Sequence, residues 1–280
     1  MTSKARWIRA LPLVLAFVAA CAAAAATPTV QIEDLTWTEL RDRIAAGTTT
    51  VLLPLGGTEQ NGPHMALGKH NVRVRVLAAR IAQGLGNAVV APVLAYVPEG
   101  SIDPATQHMR WPGTISIPVA AFEALLDGTA RSLHRHGLCQ VVLLGDHGGY
   151  RSSLDRVAAR LNSEWARTPC RVHALPEYYR AASADLARAL KAQGFSAAQI
   201  GTHAGLADTA LMLAIEPALV RTQTLAGTAP DADGVAGDPR RATADLGRAA
   251  VEHIVDTTVA AIKDRVRNPD SASPSKEKKP

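Results

Sequence analysis

The chain has 280 residues, 47% of them apolar, three cysteines and a formal net charge of +5. That is enough apolar material to fill one large α/β domain, and too little cysteine for a disulfide-built scaffold. Three of the surplus positive charges lie in the first ten residues and one in the last thirteen, so the body carries only about +1 and has no aromatic-interleaved basic patch; nucleic acid is excluded as a partner.

Lys4, Arg6 and Arg9 precede an apolar run from Leu11 to Ala20, followed by small residues. This is the layout of a secretory signal peptide over residues 1–26, too short to span a bilayer comfortably. Val18-Ala-Ala-Cys21 also fits a lipobox, whose cysteine would carry a lipid; cleavage within Ala22 to Ala26 is the alternative. Both readings place the protein outside the cytoplasm, in the periplasm, touching membrane only through an anchor at Cys21. In an oxidising compartment Cys139 and Cys170 either pair, each lying at the start of a predicted strand, or remain two buried thiols.

Residues 27–267 read as one domain. A predicted strand at Thr50–Leu55 is followed by a helix at Asn71–Gln83, a strand at Ala88–Ala95 and a helix at Val119–His136. Then come a strand at Gln140–Leu144, a helix at Tyr150–Trp165 and a strand at Arg171–Leu175. Helices are expected around Ser183–Ala192, Asp208–Ala214 and Arg240–Val266, with a long loop over Thr222–Pro239. Uninterrupted apolar runs separated by helices predict an α/β three-layer sandwich, a mainly parallel sheet between helices. The tail 268–280, rich in Pro, Ser and Lys, is expected to be disordered.

The segment after the first strand places Glu59, Asn61, His64 and His70 on a glycine-punctuated loop. Loops leaving the carboxyl ends of buried strands are where α/β folds assemble sites, and carboxylate with imidazole is a ligand chemistry for divalent cations. His147, between Asp146 and Gly148-Gly149, repeats the design after a second strand, and His203 with Asp208 forms a third such segment. His108 and Trp111, just before Pro112-Gly113, read as one wall of a small-substrate pocket. Each has a plain alternative: Glu59 as a turn cap, His64 as a loop-stabilising hydrogen-bonder, Asp146 as a helix cap, Asp208 as an acid complementing a helix dipole. Gly-x-Ser-x-Gly, the Walker lysine, the dinucleotide glycine fingerprint and His-Glu-x-x-His are all missing from the sequence. Water activated by a metal therefore fits better than a covalent intermediate.

Four motifs in order resemble the creatininase (creatinine amidohydrolase) family: Leu53-Pro-Leu-Gly-Gly-Thr-Glu-Gln-Asn-Gly-Pro-His64, His108 to Ser116, Asp146-His-Gly-Gly149 and His203 to Leu213. The resemblance extends from Asp34-Leu-Thr-Trp-Thr-Glu39 to Gly234-Val-Ala-Gly-Asp-Pro-Arg-Arg-Ala-Thr243. It implies a parallel sheet between helices, two metal ions at the strand ends, a homo-oligomer, and hydrolysis of C–N bonds in small cyclic amides, formamides or, in some branches, a peptide. Position by position, the family's first-metal glutamate and histidine fall on Glu59 and His147. Its second-metal histidine falls on Asn61, its bridging aspartate on His70, its Glu-Thr-Ser glutamate on Asp208, and a histidine that assists catalysis on His203. An imidazole offers one lone pair where a carboxylate can bridge two cations. The expected centre is therefore one ion, zinc with manganese or iron as alternatives, on Glu59, His70 and His147. Asp208 is a fourth ligand or the base, His203 a proton carrier, and Asn61, His64, His108 and Trp111 contact substrate. Lys69 falls near the vacated second-metal position, where it either supplies the missing positive charge or is a solvated loop lysine. The reading is a metal-dependent amidohydrolase acting on a small-molecule, non-peptide amide; the alternative is an inactive envelope binding protein or lipoprotein partner.

Overall fold

The computed structural model describes residues 29–268. The expected signal peptide, Cys21 and the expected disordered tail, apart from Asn268, lie outside the described residues. Four parallel strands form the sheet: β1 (Thr50–Leu55), β2 (Ala88–Val90), β3 (Gln140–Gly145) and β4 (Arg171–Ala174), in the order β2-β1-β3-β4. The helices are α1 (Trp37–Ala45), α2 (Lys69–Leu85), α3 (Val119–Arg135), α4 (Arg151–Glu164) and α5 (Pro176–Arg180). They continue through a π-helical turn at Ala181–Asp185 into α6 (Leu186–Ala192), then α7 (Ala197–Ile200), α8 (Leu206–Ile215), α9 (Thr222–Leu225) and α10 (Ala244–Arg267).

Every residue of β1 is buried because both sheet faces are covered. Leu52 with Val142 and Leu144 faces α2, α8 and α10 through Val74, Leu77, Ile81, Leu211 and Ile254. Val51, Leu53 and Leu55 with Val141 and Leu143 face α3 and α4 through Phe122, Leu126, Val157 and Leu161. The three-layer α/β sandwich is as expected. Among the described residues no helix is long and apolar enough to cross a membrane.

The strand order positions the site. From β1 the chain crosses to β2 on one side, and from β3 to β4 on the other, so adjacent carboxyl ends diverge between β1 and β3. This crevice is where open α/β sheets bind ligands. The Tyr150 hydroxyl stitches it shut from below: it reaches the carbonyls of Leu55 and Gly56 at 2.7 and 2.8 Å and accepts from the Asp146 and His147 N–H groups at 3.2 Å.

Three elements depart from the predicted boundaries. β2 ends at Val90 rather than Ala95, because Pro92 has no N–H to offer a neighbouring strand. α2 begins at Lys69, which puts Lys69 and His70 inside its first turn. α1 is additional; the Thr36 hydroxyl caps the Glu39 N–H while the Glu39 carboxylate caps Thr36. Cys139 and Cys170, at the edge between β3 and β4, are joined by a disulfide.

Candidate metal centre

Glu59 is the hub of the crevice. It is fully buried, and four imidazoles surround it. His70 Nε2 lies 2.7 Å from Glu59 Oε1, His108 Nε2 and His147 Nε2 lie 3.2 and 3.4 Å from Oε2, and His203 Nδ1 lies 3.7 Å from Oε1. The two oxygens face different surroundings, and that difference organises the site.

On the Oε1 side every polar atom is engaged. His70 donates to Glu59 through Nε2 and to Asp146 Oδ2, 2.6 Å away, through Nδ1. Asp146 also accepts from Arg73 Nε at 2.8 Å and from the Tyr178 hydroxyl at 2.6 Å. Arg73 Nη1 donates to Asp208 Oδ1 at 2.8 Å, and Lys69 Nζ donates to Asp208 Oδ2 at 3.0 Å, 3.7 Å from Glu59 Oε1. Lys69, His70 and Arg73 share the inner face of α2, where residues three and four apart align. Lys69, placed in the sequence beside a vacated cation position, is a fully buried charge against two carboxylates.

Burial opposes ionisation of Asp208, but Lys69 and Arg73 hold its carboxyl well below the usual range. Burial likewise opposes ionisation of Glu59, and the hydrogen bond and charge of His70, with Lys69, overcome it.

On the other side, Glu59 Oε2 is buried without a hydrogen-bond partner, although two imidazole nitrogens stand close to it. Among the described residues, Glu59, His108 and His147 are the group whose ligand atoms all lie within 4.8 Å of one another. Three lone-pair atoms converging without a proton between them fit a divalent cation, and two histidines with one carboxylate is a zinc, iron or manganese donor set. Burial, and then the charge of His70, push His147 down to about 3, so its imidazole is neutral and able to ligate near pH 7.

The expected ligands are thus gathered, with a shift of roles. Glu59 and His147 converge as expected, whereas His70 donates both ring protons to carboxylates and has no lone pair for an ion. His108, expected at the substrate wall, takes its place. Asp208 lies outside the converging group, its oxygens taken by Lys69, Arg73 and the Ala204 N–H. Asp146 holds His70 and Arg73 instead of supporting His147. Asn61 ties the loop together by donating to the Glu59 and Ala66 carbonyls, and His64 Nε2 sits 3.0 Å from Thr209 Oγ1; both are fully buried.

Two cavities meet at His108 and His203. One, of about 580 Å³, is lined by Lys69, Arg73, His147, Tyr179, Ser183 and Asp208 among others. The second, of about 540 Å³, is lined by Gln60, Arg110, Trp111, Asp231 and Asp233. Volumes of this order suit small-molecule ligands.

The sequence reading passed over Gln60, Arg73 and Glu99. The Gln60 amide nitrogen is 3.0 Å from His108 Nδ1 and 3.1 Å from His203 Nε2, joining the two rings. Glu99 is buried with both carboxyl oxygens unpartnered, and His147 Nε2 is 3.6 Å from its Oε2. Burial, with the neighbouring Glu59 carboxylate, pushes Glu99 up to about 9.

A family model described as creatinine amidohydrolase matches residues 33–262. The chain belongs to the creatinine amidohydrolase family. It is 29% identical to the creatinine amidohydrolase of Pseudomonas putida over 255 residues, covering 85% of this chain and 96% of that protein. It is 31% identical to the mycofactocin precursor peptide peptidase of Mycolicibacterium smegmatis over 245 residues, covering 78% of this chain and 84% of the relative. Among solved structures, a manganese creatininase superposes with a TM-score of 0.69 at 26% identity, covering 85% of this chain and 99% of the other. A creatininase variant of Zn-Zn type is also similar in structure. The fold and the hydrolase class are those of the family, whose members include both a small-molecule hydrolase and a peptidase.

Proposed function

We propose that this protein hydrolyses the C–N bond of a small, non-peptide amide, cyclic amides foremost, using one divalent ion held by Glu59, His108 and His147. The observation that carries the reading is Glu59 Oε2: a buried carboxylate oxygen with no proton to accept, facing two imidazoles at the junction of two cavities. Zinc, manganese and iron all suit that donor set. One ion is proposed rather than two because Lys69, Arg73 and His70 already neutralise the carboxylates on the Oε1 side. The ion supplies Lewis acidity toward water and toward the amide carbonyl.

The chain's own residues handle protons and charge. Burial, followed by Lys69, holds His203 down at about 4, so near pH 7 its imidazole is neutral. Its Nε2 donates to the Gln60 carbonyl at 2.9 Å, which leaves Nδ1, on the Glu59 side, free to take a proton and return it to the departing nitrogen. Asp208, with both oxygens saturated, positions Lys69 and Arg73. Gln60 holds His108 and His203 in register. Trp111 and Arg110 line the outer cavity where substrate contacts are expected.

The test is amine release from a panel of lactams, formamides and short peptides by the metal-loaded protein. Turnover of non-peptide amides, abolished by chelation and by His147→Ala, supports the proposal. Turnover of peptides alone overturns the substrate class. Stoichiometric metal with no turnover favours the inactive binding protein.

We further propose that the protein is exported, as a periplasmic enzyme or one anchored through Cys21. The basic-then-apolar N-terminal sequence supports this, as does the Cys139–Cys170 disulfide, since such bonds persist in oxidising compartments. The N-terminal mass of protein recovered from the cell envelope distinguishes a lipidated Cys21 from cleavage within Ala22 to Ala26. A homo-oligomer is proposed as well; exposed Trp37, Tyr96 and Ile102 provide apolar surface for it, and light scattering checks it.

A further inference from the structure

Glu99 lies between β2 and α3, outside every motif that drew attention in the sequence. Its side chain is among the most buried acids of the chain, 1% exposed, and neither carboxyl oxygen has a hydrogen-bond partner. Exposed loop glutamates point into water; this one points into the crevice, with Oε2 3.6 Å from His147 Nε2.

The placement is built. Ser116 Oγ accepts the Glu99 N–H at 3.0 Å and donates to the Gly100 carbonyl at 2.7 Å, which holds the backbone on both sides of the residue. Space for the carboxyl comes from Gly57: a Cβ there would stand 2.5 Å from Glu99 Oε1, and its φ of +154° is also disfavoured for side chains. Two separate segments thus shape themselves around a carboxyl group to which the protein itself offers no hydrogen bond. A buried carboxylate left unpaired is among the costlier groups a fold can hold, and a cation is the partner that removes the cost.

We infer that Glu99 is a metal ligand, joining Glu59, His108 and His147 in a two-carboxylate, two-histidine set. This rests on the proposed metal centre and goes beyond it, since neither the three converging atoms nor the family motifs include Glu99. The second carboxylate gives the ion negative charge on the side opposite Lys69 and Arg73, where no other acid reaches it.

The experiment compares wild type with Glu99→Gln, which keeps shape and removes charge. Metal-stripped protein is titrated with Zn²⁺ and Mn²⁺ against a chromophoric chelator, with Co²⁺ absorption reporting the coordination sphere. Wild type is expected to take up metal. Glu99→Gln is expected to bind at least roughly a hundredfold more weakly, beyond what loss of an outer partner costs, with an altered Co²⁺ d–d spectrum. The metal-free variant is expected to melt at a higher temperature than metal-free wild type, because a carboxylate crowded against Glu59 is gone.

Equal affinity and an unchanged spectrum in Glu99→Gln overturn the inference and leave the metal centre standing. A metal-free variant that melts lower, or does not fold, shows that the carboxylate has a structural partner and also overturns it. No uptake by wild type removes the metal centre and the inference together.

Discussion

Replacing Lys69 by methionine tests whether a buried ammonium is part of the fold's charge balance. The Lys69 side chain is 1% exposed, with Nζ 3.0 Å from Asp208 and 3.7 Å from Glu59. Methionine refills the space of the stem, so little cavity is created and the charge effect dominates. Removing one partner of a buried ion pair costs about 3–5 kcal/mol. Asp208 keeps Arg73 at 2.8 Å and Glu59 keeps His70 at 2.7 Å, which places the loss at the low end. At about 3 kcal/mol, and about 2–4 °C per kcal/mol for a domain of this size, metal-free Lys69→Met should melt about 6–12 °C below wild type. Calorimetry of metal-free protein at pH 7 measures it. Metal affinity should move the opposite way, because a positive charge that repels the ion has gone, and chelator competition reads that. A melting temperature within about 2 °C of wild type, or weaker metal binding, would refute the account of Lys69.

Other consequences follow from the same geometry. His203→Gln should bind metal normally and lower kcat by about 10²–10⁴-fold if it carries the proton, a split that steady-state kinetics with metal analysis resolves. His147→Ala should lose the ion, whereas His70→Gln should retain it while melting lower, since His70 serves two carboxylates; equilibrium dialysis separates the two outcomes. His173, remote from the site and held 2.7 Å from Gln140, is pushed down to about 4 by burial and then by Arg265 and Arg171. Unfolded chains take up this proton below about pH 6.5 while the folded protein does not until about pH 4, so stability falls as pH drops through that window. Going from pH 7 to 5 should cost about 2 kcal/mol at this residue, and urea melts of His173→Gln should lack that part of the loss.

What could be read from the sequence depended on how each residue's partners are encoded. β1 and β3 announce themselves as apolar runs because both faces of the strand are covered, and the glycine-rich loops after them mark strand ends open to a ligand. Glu59 and His147 followed, being attached directly to those ends. His70 and His108 exchanged expected roles because a ligand is chosen by where lone pairs point, and the Asp146 that captures His70 comes from another strand. Arg73 looked like an ordinary helix-surface charge; its spacing of three from His70 was the available signal that both lie on the buried face of α2. Glu99 gave no signal at all, since an acid between proline and glycine reads as solvated loop. Helix α1, polar and lacking a buried side chain, was betrayed only by the reciprocal Thr36–Glu39 cap.

The hydroxyl of Tyr150 has a bearing on how this enzyme can diversify. By clasping the ends of β1 and β3 it makes the spacing between Glu59 and His147 a property of the sheet and not of the surrounding loops. The outer wall, from Gln107 to Trp111 and from Asp231 to Ala236, is carried on separate segments. Selection for new substrates can therefore rewrite that wall extensively while the reacting centre keeps its dimensions. Libraries confined to those two stretches are where altered selectivity should be sought.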